Sequence, residues 1–406
     1  MHLCVVLLGF VASQQCSTID VRREIRDLSD GERQTFFNAI IALSQTGGTP
    51  SAYDQLVKLH VDNRVPAHNN PVFLPWHRHF LHHFQTELRR ISPGIVVPYW
   101  DTSIDSQQPE QSELFTEAYM GGSGTQANGY CIPNGPFAGM RVVVEDGNSN
   151  AQTPRCIRRS FDGGDRISPF TTSAVMQQII DTNKDFDSFA RQIERAPHAL
   201  PHVNVGGQFG DFAVMSSPND PLFWIHHGNV DYWYATWQQS GIQNNYPPGR
   251  EGEALPHYTD VRVQDVFNTE AFPYCYRYAP RRSTGQALRR RSTPLNQTNL
   301  GRRAYSQDKF IQAIHEACPP STCPDAFDRK DQHRLRVPKP IPADWISRSR
   351  LGIESVRKQE IDIAKLIFKL NSNPHYQSPE AIGNWKSFHR SRYSPNNSSF
   401  QSHNTR

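Results

Sequence analysis

Apolar residues recur at helical spacing in six stretches of the chain, several of them separated by long polar runs. Residues 20–46 contain VRREIRDLSDGERQTFFNAIIALSQ. Phe36, Phe37, Ile40 and Ile41 fall on one face of a helix there, with Ser29 or Asp30 placed to cap it. A second helix is expected at 51–60 and a third at 74–90, where Pro75 sits early and is tolerated. Residues 98–101, PYWD, read as a buried corner. The stretch 103–180 is rich in Gly, Pro and Ser and reads as long loops. Helix resumes at 185–200, gives way to a glycine-containing loop at 203–217, and returns at 219–239 with Pro221 in its first turn. Residues 356–370 have the pattern of one amphipathic helix. No stretch repeats with a solenoid period.

Composition refines this picture. The chain has 406 residues, 37% hydrophobic and 20% charged, with 30 prolines. That suits a soluble, mainly helical protein with long irregular connections. A net charge of +4 is too mild to indicate a nucleic-acid partner. Leu3 to Ala12 form an apolar run of signal-peptide length, too short to span a bilayer, so residues 1–13 are expected to be an export leader and no membrane segment is expected. Seven cysteines are present. Loss of Cys4 with the leader would leave Cys16, Cys131, Cys156, Cys275, Cys318 and Cys323. An even number in an exported chain points to disulfides, with Cys131–Cys156 and Cys318–Cys323 favoured as local pairs. Sequons at Asn296, Asn396 and Asn397 fit export.

After Tyr278 the character changes. Residues 281–303 carry seven arginines and no acid. Residues 281–406 therefore read as a basic, partly disordered extension outside the core, with Arg289-Arg290-Arg291 as a candidate processing site.

The unusual feature is 17 histidines, and they are clustered. The first cluster spaces His60, His68 and His77 by eight and nine residues. The second sets His198 and His202 four apart, on one helical face, with His227 beyond a loop. Three imidazoles with no acid or cysteine among them make a three-nitrogen site with an open position. Such donors suit Cu, Zn, Fe or Ni, and disfavour Mg, Ca and Mn. His226, beside His227, and His79, two residues from His77, project away and are assigned supporting roles.

These stretches resemble the tyrosinase, catechol oxidase and molluscan-type hemocyanin family. AHNNPVFLPWHRHF is similar to its first copper motif, SPNDPLFWIHHGNVDYWYATW to its second, and PHALPHVNVGG to the stretch giving two ligands. CYRYA at 275–279 resembles the tyrosine motif that closes the core, against which Arg22 or Arg23 would pack. The resemblance covers about residues 20–280. It implies a four-helix bundle around two copper ions, with His60, His68 and His77 on one copper and His198, His202 and His227 on the other. It makes the second histidine of the His226–His227 pair the ligand. It also implies that Glu194 acts near the site by ordering a water, and that Val214 stands where relatives carry a gate residue. No cysteine lies close before His68, so the thioether cross-link of many relatives is not expected. Ala199 stands where good monophenol hydroxylases often carry asparagine.

The resemblance implies oxidation of o-diphenols, with monophenols as a further substrate class, to o-quinones with dioxygen. Phenols and dioxygen would be the partners. The overall style is most similar to secreted invertebrate proteins, including those of mollusc shell, which makes association with extracellular matrix an expectation. Hemocyanin-like oxygen binding, or a catalytically weak matrix role, would use the same histidines.

Overall fold

The computed structural model describes residues 15–151, 153–240, 246–279 and 335–372. The expected leader, the sequons, the arginine run, the final 25 residues, Cys318 and Cys323 lie outside them.

The expected helices form where their caps dictate. Helix α1 spans Asp30–Leu43; Ser29 accepts the Glu32 amide while Glu32 reaches back, a complete capping box. Helix α2 spans Ala52–Asp62, and Ser51 and Asp54 repeat the device. Helix α3 spans Phe73–Ile91 and carries Pro75 in its first turn. Residues 98–101 are buried as expected.

The 103–180 stretch is mostly loop and short 3-10 turns, but α4, Ser173–Thr182, corrects part of that reading. Thr172 caps it, and Val175, Met176, Ile179 and Ile180 bury one face. Helix α5, Phe186–Ile193, runs into a single π turn, Glu194–His198, and then into α6, Ala199–Gly206. Pro197 lies inside the π turn and has no N–H to give to an α-helical bond, which is a physical reason for the widened turn. Helix α6 therefore occupies the start of the stretch expected to be loop. Helix α7 spans Leu222–Gln239.

Two small sheets close the periphery. Strand β1, Asp20–Arg22, pairs in parallel with β4, Tyr276–Tyr278, and β2, Arg141–Val142, pairs antiparallel with β3, Arg155–Cys156. The β1–β4 pair brings the guanidinium of Arg22, rather than Arg23, to 3.6 Å from the Tyr276 ring centre. Among the described residues there are two disulfides: the expected Cys131–Cys156, and Cys16–Cys275, which ties the first described residues to the end of the core.

Helices α3 and α7 cross at the centre of one continuous apolar core. A buried ionic knot pins them together. Asp231 of α7 accepts from Nε of Arg78 at 2.6 Å and from Nη1 of Arg22 at 3.2 Å, and Tyr276 and Tyr278 both donate to it.

Residues 335–372 also pack on this core, although the sequence placed them in an extension outside it. Helices α8, Ala343–Arg348, and α9, Ile353–Asn371, bury Trp345, Ile346, Val356, Ile363 and Ile367. Polar ties fix the segment: Arg336 donates to Gln107, Gln359 to the Gln192 carbonyl, and Asn69 to the Arg350 carbonyl. Among the described residues, no helix is long and apolar enough to cross a membrane.

Candidate metal centre

The two histidine clusters converge at the centre of the bundle. His60 comes from α2, His68 from the following loop and His77 from α3. His198 comes from the π turn, His202 from α6, and His226 and His227 from α7. All seven are buried.

Five of these rings are held by the same device. The Nδ1 atoms of His60, His68, His77, His198 and His202 face the backbone carbonyls of Met215, Arg64, Phe73, Glu194 and Phe212, at 2.7 to 3.2 Å. A carbonyl only accepts, so Nδ1 must carry the proton and Nε2 the lone pair. Those lone pairs point at one another: Nε2 of His60 and His77 are 3.4 Å apart, as are Nε2 of His202 and His227. Facing lone pairs repel unless a cation lies between them. Two imidazole nitrogens about 2.0–2.1 Å from one tetrahedral ion stand at close to this separation. The donor set thus fits a pair of metal ions.

Burial supports the same conclusion. Desolvation holds every ring of the set below the ordinary histidine range; His68 falls to about 4 and His202 to about 3. The other five are pushed well below it, again first by burial and then by neighbouring histidines. Neutral imidazole is the form that binds a metal.

Two groupings qualify as metal sites among the described residues: His60, His68 and His77, and His198, His202 and His226. His226 and His227 therefore compete for one position. Nε2 of His226 lies 3.0 Å from the His198 carbonyl and is its N–H donor, leaving only Nδ1 free. His227 presents Nε2 beside His202, while its own Nδ1 has no partner. His77 and His227 stack face to face, 4.4 Å between ring centres, so the two groups abut. His79 is turned away from the site and bonds Tyr274 at 2.8 Å.

The carboxyl of Glu194 is buried beside the histidines and accepts the Asn69 amide at 2.7 Å. Burial raises it to about 8, against the lowering effects of Asn69, Arg195 and Arg191. Asn69 was not singled out in the sequence; it adopts a left-handed backbone (φ 54°), as asparagine tolerates, and this points its amide at Glu194.

A cavity opens beside the metal position, lined by His60, His68, His198, His202, Glu194 and Val214, and roofed by Trp345, Ser349 and Leu351. Nothing in the sequence of α8 announced this roof, because the lining partners of Trp345 lie about 130 to 285 residues earlier.

Comparison with known proteins places the arrangement. The common central domain of tyrosinase matches residues 50–240. The chain is 32% identical to a tyrosinase of Streptomyces antibioticus over 56% of its own length and 86% of that protein. It is 30% identical to a tyrosinase-like protein of Diaporthe leptostromiformis, over 65% of the chain and 79% of the relative. Against a tyrosinase-like protein of Caenorhabditis elegans it is also 30% identical, but it spans only 39% of that longer protein. The fold is shared with a polyphenol oxidase of Thermothelomyces thermophila, at a TM-score of 0.53 and 23% identity, covering 64% of this chain and 89% of the other.

Proposed function

The chain belongs to the tyrosinase family of binuclear copper proteins, and from that premise we propose that it oxidises o-diphenols to o-quinones with dioxygen. The observation that carries the reading is the convergence of backbone-anchored imidazole lone pairs into two adjoining triads.

His60, His68 and His77 would hold one copper, and His198, His202 and His227 the other. His227 is preferred to His226 because it faces its neighbour through Nε2, as the anchored histidines do, whereas His226 spends Nε2 on a carbonyl. When bound, the copper pair supplies dioxygen binding and the electron transfer that converts a catechol to a quinone.

The chain supplies the rest. Phe73 and Phe223 flank the histidine rings and keep water from the metals. The carbonyl anchors fix ring orientation and raise ligand basicity. Glu194 lines the cavity and, in its ionised form, would take the proton of a water or a phenol O–H there. Ala199 is fully buried and offers that water no polar side-chain partner. Monophenols, which must lose a proton before they bind, depend on such help more than diphenols do. The expected preference is therefore for diphenols. Val214 and Trp345 of α8 line the cavity and would control entry of a phenol ring. Export is supported by the leader-like N-terminus and the two disulfides.

The same two histidine triads would also support a second reading, reversible dioxygen binding without turnover. Copper quantitation paired with oxygen uptake on catechol and on a monophenol separates the two. About two coppers per chain and catechol-driven uptake are expected. Two coppers with reversible oxygenation and no uptake would overturn the oxidase reading.

A further inference from the structure

A line of oxidisable side chains runs from the first histidine triad to the surface. The Trp76 indole is fully buried and lies 4.9 Å from the His77 ring and 6.0 Å from the His60 ring, centre to centre. Its Nε1 donates to the Pro256 carbonyl at 2.9 Å, which fixes its plane. On its outer side stands Tyr258, 6.2 Å away between ring centres and half-buried. The Tyr258 hydroxyl meets Nδ1 of His83 at 3.0 Å. The far nitrogen of His83, Nε2, is 3.7 Å from Glu87, and the His83 side chain is 32% exposed.

The order of these groups is more than aromatic packing requires. Phe80, Phe84 and Phe223 fill the same core equally well and resist oxidation. A phenol gives up an electron readily only when its proton has somewhere to go. Here an imidazole nitrogen waits on the hydroxyl, and a carboxylate waits on that imidazole. Burial, aided by His257 and Arg90 and against the raising effect of Glu87, holds His83 below the ordinary histidine range, so its ring is neutral and able to accept. Protonated, it would face Glu87 at ion-pair distance.

We propose that Trp76, Tyr258 and His83 form an electron relay between the copper pair and a surface site, at which one-electron donors too bulky for the roofed cavity are oxidised. The proposal rests on the redox reading of the copper site given above. With the copper pair bound and oxidised, Trp76 would supply an electron inward and Tyr258 would refill Trp76. The phenol proton passes to Nδ1 of His83. A donor at the surface returns one electron to Tyr258, and the proton goes back from His83. Each donor thus loses one electron and the side chains end unchanged. Four donors and four protons from solvent convert one dioxygen to two waters.

The test uses copper-loaded full-length protein and ferrocyanide, a hydrated anionic complex excluded from the cavity. Under air, the wild type should form ferricyanide steadily. Tyr258→Phe should slow this at least tenfold while copper content and catechol oxidation stay unchanged. Tyr258→Trp, which keeps an oxidisable ring, should recover most of the rate. His83→Leu should slow it severalfold, and it serves as an independent variant should a position-258 protein misfold. A second readout needs no donor. Reduced, copper-loaded protein mixed with dioxygen and frozen should give a tyrosyl radical signal by electron paramagnetic resonance, absent in Tyr258→Phe. Equal ferrocyanide oxidation in wild type and Tyr258→Phe, or a radical that survives that substitution, overturns the relay and leaves the oxidase reading standing. A chain that binds two coppers but oxidises neither catechol nor ferrocyanide overturns both.

Discussion

Replacing Asp231 by asparagine should unfold the core more readily than any comparable change at the surface. Asp231 sits four residues beyond His227 on α7, and its partner Arg78 adjoins His77 on α3. The carboxylate is 3% exposed and both guanidinium partners are fully buried. Burial alone would raise its pKa, but Arg78 and Arg22 outweigh that and hold it below the ordinary carboxylate range. Replacing a whole buried ionic group by well-packed apolar residues is often harmless; removing one partner is not, because the others keep their desolvation penalty. The loss is about 3–5 kcal/mol when an uncompensated buried charge remains. Asparagine keeps the shape and one acceptor oxygen, so the lower end, about 3 kcal/mol, is the expected figure. Total stability is on the order of 5–15 kcal/mol, so this is a large fraction of it. With a urea slope of about 3 kcal/mol/M, the unfolding midpoint of the metal-free protein should fall by about 1 M. Urea titration followed by tryptophan fluorescence measures it, since Trp76, Trp224 and Trp237 are all in the core. A midpoint unchanged within about 0.2 M would refute the claim that this knot holds α3 and α7 together.

Four further outcomes are expected. His77→Ala or His227→Ala should lose most of one copper and all oxidation, whereas His226→Ala and His79→Ala should lose far less; full activity in His227→Ala with loss in His226→Ala, by metal analysis and oxygen uptake, would reverse the ligand choice. Ala199→Asn should raise the monophenol rate relative to the diphenol rate severalfold at constant copper content, and an unchanged ratio would remove the water-anchoring argument. Trp345→Ala should open the cavity and raise catechol oxidation severalfold; no change in kcat/KM would mean that α8 does not gate entry. Acid should destabilise the metal-free protein: the folded pKa of His68 is depressed to about 4 and that of His202 to about 3, so stability present above the unfolded value of about 6.5 is lost as pH falls through that window. Circular dichroism of the metal-free chain between pH 7 and 4 reads this directly, and a flat profile would count against it.

The helix-forming signals were local, and the sequence displayed them: Ser29 with Glu32 and Ser51 with Asp54 announce two helix starts outright. Histidine spacing likewise exposed the candidate ligands, because i and i+4 positions share a face. Helix α4 was hidden because its ten residues lie in a glycine- and proline-rich stretch, although Val175, Met176, Ile179 and Ile180 have helical spacing. The choice between His226 and His227 was open to residue chemistry, since neighbours on a helix differ only in where they point. The α8 roof was illegible for a different reason. An amphipathic pattern shows that a face is buried, not what buries it. Glu194 is held by the backbone of Asn69, a contact that side-chain identity cannot disclose.

The Cys16–Cys275 bond acts most strongly when the protein is not folded. With a sequence separation of 259, it turns nearly the whole copper core into a covalent ring. The chain-entropy relation assigns a loop of that length roughly 5–6 kcal/mol of destabilisation of the unfolded ensemble, as an upper figure. It also brings the segment bearing Arg22 close to Tyr276 before any helix has formed. The parallel β1–β4 pairing joins residues 256 apart in sequence, and an open chain would meet it late. In the ring it becomes a short search. Reduction would therefore be expected to slow assembly as well as to weaken the finished protein, and the N-terminal corner would feel the loss first.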